Sequence, residues 1–156
     1  MKLRYGTGLL LLSCLISPTY AANDWVYLTV TSDKEHKIYL NVKSVKEVSQ
    51  YGKTYVHAWT KWVVYKDISK DGLAVGDYDM RLNRVDCDNQ MIGVAHVSSY
   101  KNGNLYGRSY APSYIEMSDV IPDSIGESIL NSACYANEIK QGRISPEDTT
   151  EDSVSY

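Results

Sequence analysis

The 156-residue chain has no phenylalanine, only four prolines and three cysteines, and no excess of positive charge. Each shortage excludes a class of protein. With 16 Lys and Arg against 19 Asp and Glu, the formal net charge is −3. That balance disfavours nucleic acid, whose binding needs a clustered basic patch. Beyond the N-terminal segment, no apolar run approaches the roughly 20 residues that cross a bilayer as a helix. Asp71-Gly72 and the region from Gly103 to Gly107 lack the strand-to-helix context and the Lys-Ser/Thr of a phosphate-binding loop.

Chemistry is equally sparse. His36, His57 and His96 are scattered along the chain, and no Cys or His pair has zinc-ligand spacing. Asp77-Tyr78-Asp79 and Asp86-Cys87-Asp88 bring acids together without the twelve-residue loop that wraps calcium, so they read as strand ends and turns. No serine or free cysteine stands with a histidine and a carboxylate in a nucleophilic arrangement. The chain reads as a non-enzymatic protein with no cofactor and no metal.

What is present begins with an export signal. Lys2 and Arg4 precede an apolar stretch from Leu9 to Ile16, then Pro18 and the small-residue exit Thr19-Tyr20-Ala21. Residues 1–21 read as a signal peptide, cleaved after Ala21 or Ala22. A rival reading stays open: Leu11-Leu12-Ser13-Cys14 loosely resembles a lipobox, and membrane attachment is expected only if Cys14 is lipidated. Loss of Lys2 and Arg4 with the signal leaves a net charge of −5. Cys14 leaves too, so Cys87 and Cys134 remain as an even pair in an oxidising compartment.

The mature part reads mainly as β structure. Trp25 to Thr31, Lys37 to Val42 and Thr54 to Tyr65 are rich in β-branched and aromatic residues. The third of these alternates Tyr55, His57, Trp59, Lys61 and Val63 with Val56, Ala58, Thr60, Trp62 and Val64. Neither set is wholly polar, which predicts a central strand at least partly covered on both sides. Asp77 to Cys87 and Gln90 to Ser99 form a hairpin about a two-residue turn at Asp88-Asn89. Asn102-Gly103 gives a second turn of type I′ before Leu105 to Tyr110, so these three segments form an antiparallel meander.

A helix closes the domain. Ile125, Ile129, Leu130 and Ala133 recur at helical spacing, which places it at Ser124 to Asn137. Ser124 with Glu127 makes a capping box, and Asp123 is an equal candidate for the N-cap. Cys134 falls on the apolar side of this helix and Cys87 ends a strand, so a Cys87–Cys134 bridge pins helix to sheet. In the chain-entropy model a loop of this length stabilises by roughly 4 kcal/mol. The folded domain spans residues 22–139, and residues 140–156 form an acidic, polar tail too poor in apolar surface to order itself.

Of the 14 tyrosines, 12 lie beyond the signal. Tyrosine joins a large apolar body to a polar tip and suits protein-binding surfaces. Tyr100, Tyr106, Tyr110 and Tyr114 surround the Asn102-Gly103 turn, and Tyr100, Lys101, Tyr106, Arg108 and Tyr110 are the candidate binding residues, an aromatic-basic patch. An exposed edge strand also makes a homodimer a candidate assembly.

From Trp25 to Cys134 the order of features resembles the surface-adhesin protein E family of Gram-negative bacteria. The resemblance rests on the opening Trp25 strand, Ile38-Tyr39-Leu40-Asn41 followed by Val45, and the Val56 to Trp62 strand with its Trp-Thr-Lys core. It continues through Cys87 after a charged strand, the Tyr106-Gly107 region, and Ile121-Pro122-Asp123-Ser124 leading to a helical cysteine. Asn41 stands where the family's aspartate is expected. The resemblance implies an α+β fold, a six-stranded antiparallel sheet with a C-terminal helix tethered by the disulfide. It also implies binding to host matrix or serum proteins such as vitronectin and laminin. The alternative is a periplasmic structural or envelope-associated protein without adhesive activity, so the expected location is the periplasm or the outer-membrane surface.

Overall fold

The computed structural model describes residues 24–68 and 70–145; the expected signal peptide of residues 1–21 with Cys14, and the end of the expected tail from 146 onward, lie outside the described residues. In chain order the elements are β1 (Trp25–Val30), β2 (His36–Asn41), a 3-10 turn (Val42–Ser44), β3 (Lys46–Gln50) and β4 (Lys53–Val64). They continue with β5 (Tyr78–Asp86), β6 (Met91–Lys101), β7 (Asn104–Tyr110), β8 (Ser118–Asp119) and α1 (Ile125–Lys140). All strand pairs are antiparallel, in the order β1-β2-β4-β5-β6-β7, with β3 paired to β4 and β8 to β6.

The sheet is thus six strands wide, as the resemblance implied, but built from eight segments. Strands β2 and β3 lie end to end along one edge of β4, against residues 60–64 and 53–57 respectively. At the break between them, Asn41 Oδ1 accepts the Ser44 N–H at 2.9 Å, and Ser44 Oγ accepts the Trp59 N–H at 3.0 Å. The serine hydroxyl satisfies a ladder donor that the break would leave orphaned. An asparagine at position 41 supplies the same capping oxygen as an aspartate. Strands β7 and β8 share the outer edge of β6 in the same end-to-end way.

The turns divide into one that matches expectation and one that does not. Asn102 and Gly103 both have positive φ, 50° and 76°, as a type I′ turn requires. The β5–β6 connection is longer than the expected two residues. Four residues separate the strands, Gln90 takes φ 53°, and Asp86 Oδ1 accepts the Asn89 N–H at 3.0 Å. The aspartate side chain closes this turn, and Cys87 leaves the ladder for the disulfide.

Helix α1 is capped by Ser124, whose Oγ accepts the Glu127 N–H at 3.2 Å, while Glu127 Oε2 accepts the Asp123 N–H at 2.8 Å. Of the two N-cap candidates, the serine holds the position. The helix runs three residues past the expected end at Asn137. Asn137 is buried and donates from Nδ2 to Glu47 Oε1 at 2.8 Å, so it anchors the helix instead of ending it. Beyond the helix, Arg143 pairs with Glu47 at 2.9 Å and with Glu138 at 2.7 Å.

Burial follows the two-residue period of the strands. Val56, Ala58, Thr60 and Val64 of β4 are buried, and cross-strand partners share a face, so Leu40 and Val85 join them. Ile129, Leu130 and Ala133 of α1 pack onto this face. Fully burying one such branched side chain stabilises by about 1.5–3 kcal/mol. Cys87 and Cys134, with Cα atoms 5.9 Å apart and 47 residues apart in sequence, bridge the β5 end to the helix beside that core.

Candidate functional site

The opposite face of the sheet carries no helix. Its residues follow from register: Tyr39 on β2, Tyr55, His57, Trp59 and Lys61 on β4, Tyr78, Met80, Leu82 and Arg84 on β5, and His96, Ser98 and Tyr100 on β6. Trp25 and Tyr27 of β1 extend it to the first edge. The expected two-sided cover of β4 is therefore a helix on one face and side chains on the other, where Tyr55, His57, Trp59, Lys61 and Val63 are each half-buried.

Rings and cations alternate across this open face. Lys61 Nζ sits 4.9 Å from the centroid of Trp25 and 4.5 Å from that of Tyr78. Tyr78 stacks on Tyr100 at 5.0 Å, Tyr27 meets Tyr39 edge-on at 5.7 Å, and Trp59 meets His96 edge-on at 5.6 Å. The Arg84 guanidinium lies 5.0 Å from the Tyr55 ring and donates from Nε to His57 Nε2 at 3.2 Å. Such contacts hold flexible cations in place over a flat aromatic surface. The strand register places two carboxylates here: Asp86, buried with both oxygens engaged by Asn89, and Asp119 of β8, exposed at the outer edge. Lys46, Lys61 and Arg84 outnumber these two acids, so the strands give this face a positive balance although the chain as a whole is acidic.

One end of the face is closed into a cleft. The segment from Pro112 to Met117 crosses the sheet at Gly93, where an added Cβ would stand 2.4 Å from the Glu116 carbonyl oxygen and 2.9 Å from both Ile115 and Met117 side chains. The resulting recess, about 220 Å³, is lined by Tyr51, Tyr55, Arg84, Pro112 and Tyr114. His57 stands beside it. Burial, then the nearby Arg84 and Lys46 charges, hold its pKa below the usual histidine value.

The five residues singled out from the sequence do not fall on one surface. Tyr100 belongs to the open face through its stack on Tyr78. Tyr106 and Tyr110 pair with Ser99 and Val97 and take the other face. Lys101 donates to the Gly72 carbonyl at 2.7 Å, with its Nζ 5.5 Å from the Tyr106 ring. Arg108 is exposed on β7. The structure thus groups Lys101 with Tyr106 and the Gly72 loop, and separates Tyr100 from them. Tyr114 lies at the cleft.

Acidic pairs serve as turn anchors. Asp77 accepts the Asn102 N–H and the Ala74 N–H, each at 2.9 Å, and these bonds hold its carboxyl below the usual range. Asp79 accepts from Ser99 Oγ at 2.6 Å and pairs with Arg81 at 3.3 Å. Among the described residues no group of three His, Cys, Asp or Glu side chains is placed to hold a metal ion. No helix among them is long and apolar enough to cross a membrane.

What sequence reading missed was the partnership of Trp25, Lys61, Tyr78 and Arg84. The alternation in β4 was visible, but only strand register shows which residues of β1 and β5 stand beside it.

Comparison with known proteins agrees with this architecture. Neither the curated proteins nor the solved structures gave a match. A family model described as surface-adhesin protein E matches residues 25–135, from the first residue of β1 into α1 just past the bridged Cys134. That match spans most of the chain and takes in every strand of the described residues, and the chain belongs to the surface-adhesin protein E family.

Proposed function

We propose that the protein is exported and works as a non-enzymatic, adhesin-like binding protein that recognises a host matrix or serum protein through the open face of its sheet. Family membership supports binding over catalysis. The observation that carries the choice of surface is Lys61 held between Trp25 and Tyr78, with Arg84 over Tyr55, on a face whose buried carboxylate, Asp86, is already engaged. Aromatic and arginine side chains are the residue types that concentrate binding energy at protein interfaces. Vitronectin and laminin are the ligands to try first, because the family resemblance points to them.

Surface plasmon resonance of the chain from residue 22 onward against immobilised vitronectin and laminin tests this. Saturable binding at micromolar concentration is expected, weakened at least tenfold by Lys61→Glu or Arg84→Glu with an unchanged circular-dichroism spectrum. No saturable binding by the unmodified protein would remove the adhesive role.

A second reading, an envelope component that stays in the periplasm, is favoured by the Ala21 exit of the signal, which suits a soluble product. Protease treatment of intact cells separates the two: digestion means surface display, protection means periplasmic residence. Membrane attachment enters this scheme only through Cys14. Strand β7, exposed along its whole length, is the edge on which a second copy would pair, and sedimentation at rising concentration reads that out.

A further inference from the structure

On the helix side of the sheet a groove of about 470 Å³ runs between β1, β2 and α1. Its floor is Leu40, 1% exposed; Val26 and Leu28 form one wall, Ala136 and Ile139 the other, and Tyr135 the rim. Ser132 and the hydroxyl of Tyr135 are the uncharged polar side-chain groups in the lining. Val26 and Tyr135 leave 46% and 38% of their surface in water, so apolar area stays exposed along this groove. The size lies in the range of small-molecule sites.

The two charged residues of the groove, Lys43 and Lys140, stand together at one end. Lys140 Nζ donates to the Lys43 and Val45 carbonyls, each at 2.8 Å. An ammonium has three donors, so one N–H remains. Lys43 Nζ is 3.8 Å from Asp24, an exposed and weak pairing. The last turn of α1 presents carbonyl oxygens at the same end, and the Lys140 ammonium counters them. The groove therefore has a polarity: an apolar trough about 12 Å long from Ser132 to Lys140 at the helical rise, ending in two cations.

We infer that this groove binds the single alkyl chain of a free anionic amphiphile, a fatty acid being the simplest, with its carboxylate at Lys43 and Lys140. The occupant is a monomer and not a bilayer. The trough lies between a strand and a helix and admits one chain lengthwise, whereas a membrane-surface site offers protruding apolar side chains ringed by basic ones. An exported protein meets such molecules in the envelope and at host surfaces. The assignment does not use the open face and stands or falls separately from the adhesive reading.

Titration calorimetry of the mature protein with sodium dodecanoate, below its micelle-forming concentration, tests the site, with NMR shift mapping to place it. One dodecanoate per chain is expected, with the largest shifts at Val26, Leu28, Ala136 and Ile139. Decanoate should bind roughly tenfold more weakly, from two fewer buried methylenes. Dodecyltrimethylammonium should bind several-fold more weakly than dodecanoate. Lys43→Glu, at a side chain 79% exposed and so harmless to the fold, should erase that preference; Val26→Glu should abolish binding of both. No saturable binding, equal affinity for the two head groups, shifts centred elsewhere, or binding to anionic vesicles without binding to monomers would each overturn the proposal.

Discussion

Arg84 donates its Nε–H to His57 Nε2 across the β4–β5 pair at 3.2 Å. The imidazole nitrogen that would take up a proton is thus already accepting a hydrogen bond from a cation. Burial and two neighbouring positive charges work in the same direction.

The first prediction concerns mild acid. His57 has a lower pKa folded than unfolded, so the unfolded chain binds the extra proton as pH drops below about 6.5. Stability should be constant above that point and fall beneath it. His57→Gln should flatten this part of the curve, measured by urea denaturation between pH 7.5 and 5. An unchanged slope would show that the histidine is not the group responsible.

A second, more acidic window belongs to Asp77. Its carboxyl is held low, first by the Asn102 N–H and then by the Ala74 N–H, so its contribution is fully present above about pH 4 and is lost as pH falls further. Asp77→Asn should lower stability at pH 7 and reduce the loss below pH 4. Because these bonds tie the Ala74 loop to the Asn102-Gly103 turn, amide exchange in both segments should accelerate in the variant.

Removing the Cys87–Cys134 bridge should cost about 2–5 kcal/mol. The double serine variant, or the reduced protein, is expected to unfold at lower denaturant with the helix signal lost first, since the bridge and the α1 core contacts together hold the helix to the sheet. Co-denaturation of helix and sheet at the original midpoint would contradict this.

Gly93→Ala should destabilise by about 1–3 kcal/mol. The added methyl meets a backbone carbonyl, that of Glu116, which cannot swing aside as a side chain can. Relief requires the Pro112 to Met117 segment to lift, so the cleft beside Arg84 should open and the half-buried Tyr55 should become more reactive toward tetranitromethane or iodine.

Much of this fold is legible in the sequence where local chemistry decides it. The Thr54 to Tyr65 alternation, the Asn-Gly turn, the helix start at Asp123-Ser124 and the pair Cys87 and Cys134 each name their structure directly. Strand β3 (Lys46–Gln50) was not legible, because Lys-Glu-Val-Ser-Gln carries little strand signal of its own. It is held by pairing to the long β4. The two residues of β8 are too few to give a pattern. The extra length of α1 came from Asn137, a residue that reads as a helix end until Glu47 is seen to receive its amide. The open face was hidden for a broader reason: its members come from distant stretches that only register brings into one row.

The two-sided alternation of β4 has a consequence for how such proteins diverge. Residues of one parity, Val56, Ala58, Thr60 and Val64, answer to the helix and the core; those of the other parity, Tyr55, His57, Trp59 and Lys61, do not. Drift or selection can rewrite the second set while the first goes on specifying the same molecule. On the proposed reading of the open face, a lineage built on this frame can alter its binding surface without altering its core, so a shared fold among its members need not mean a shared ligand.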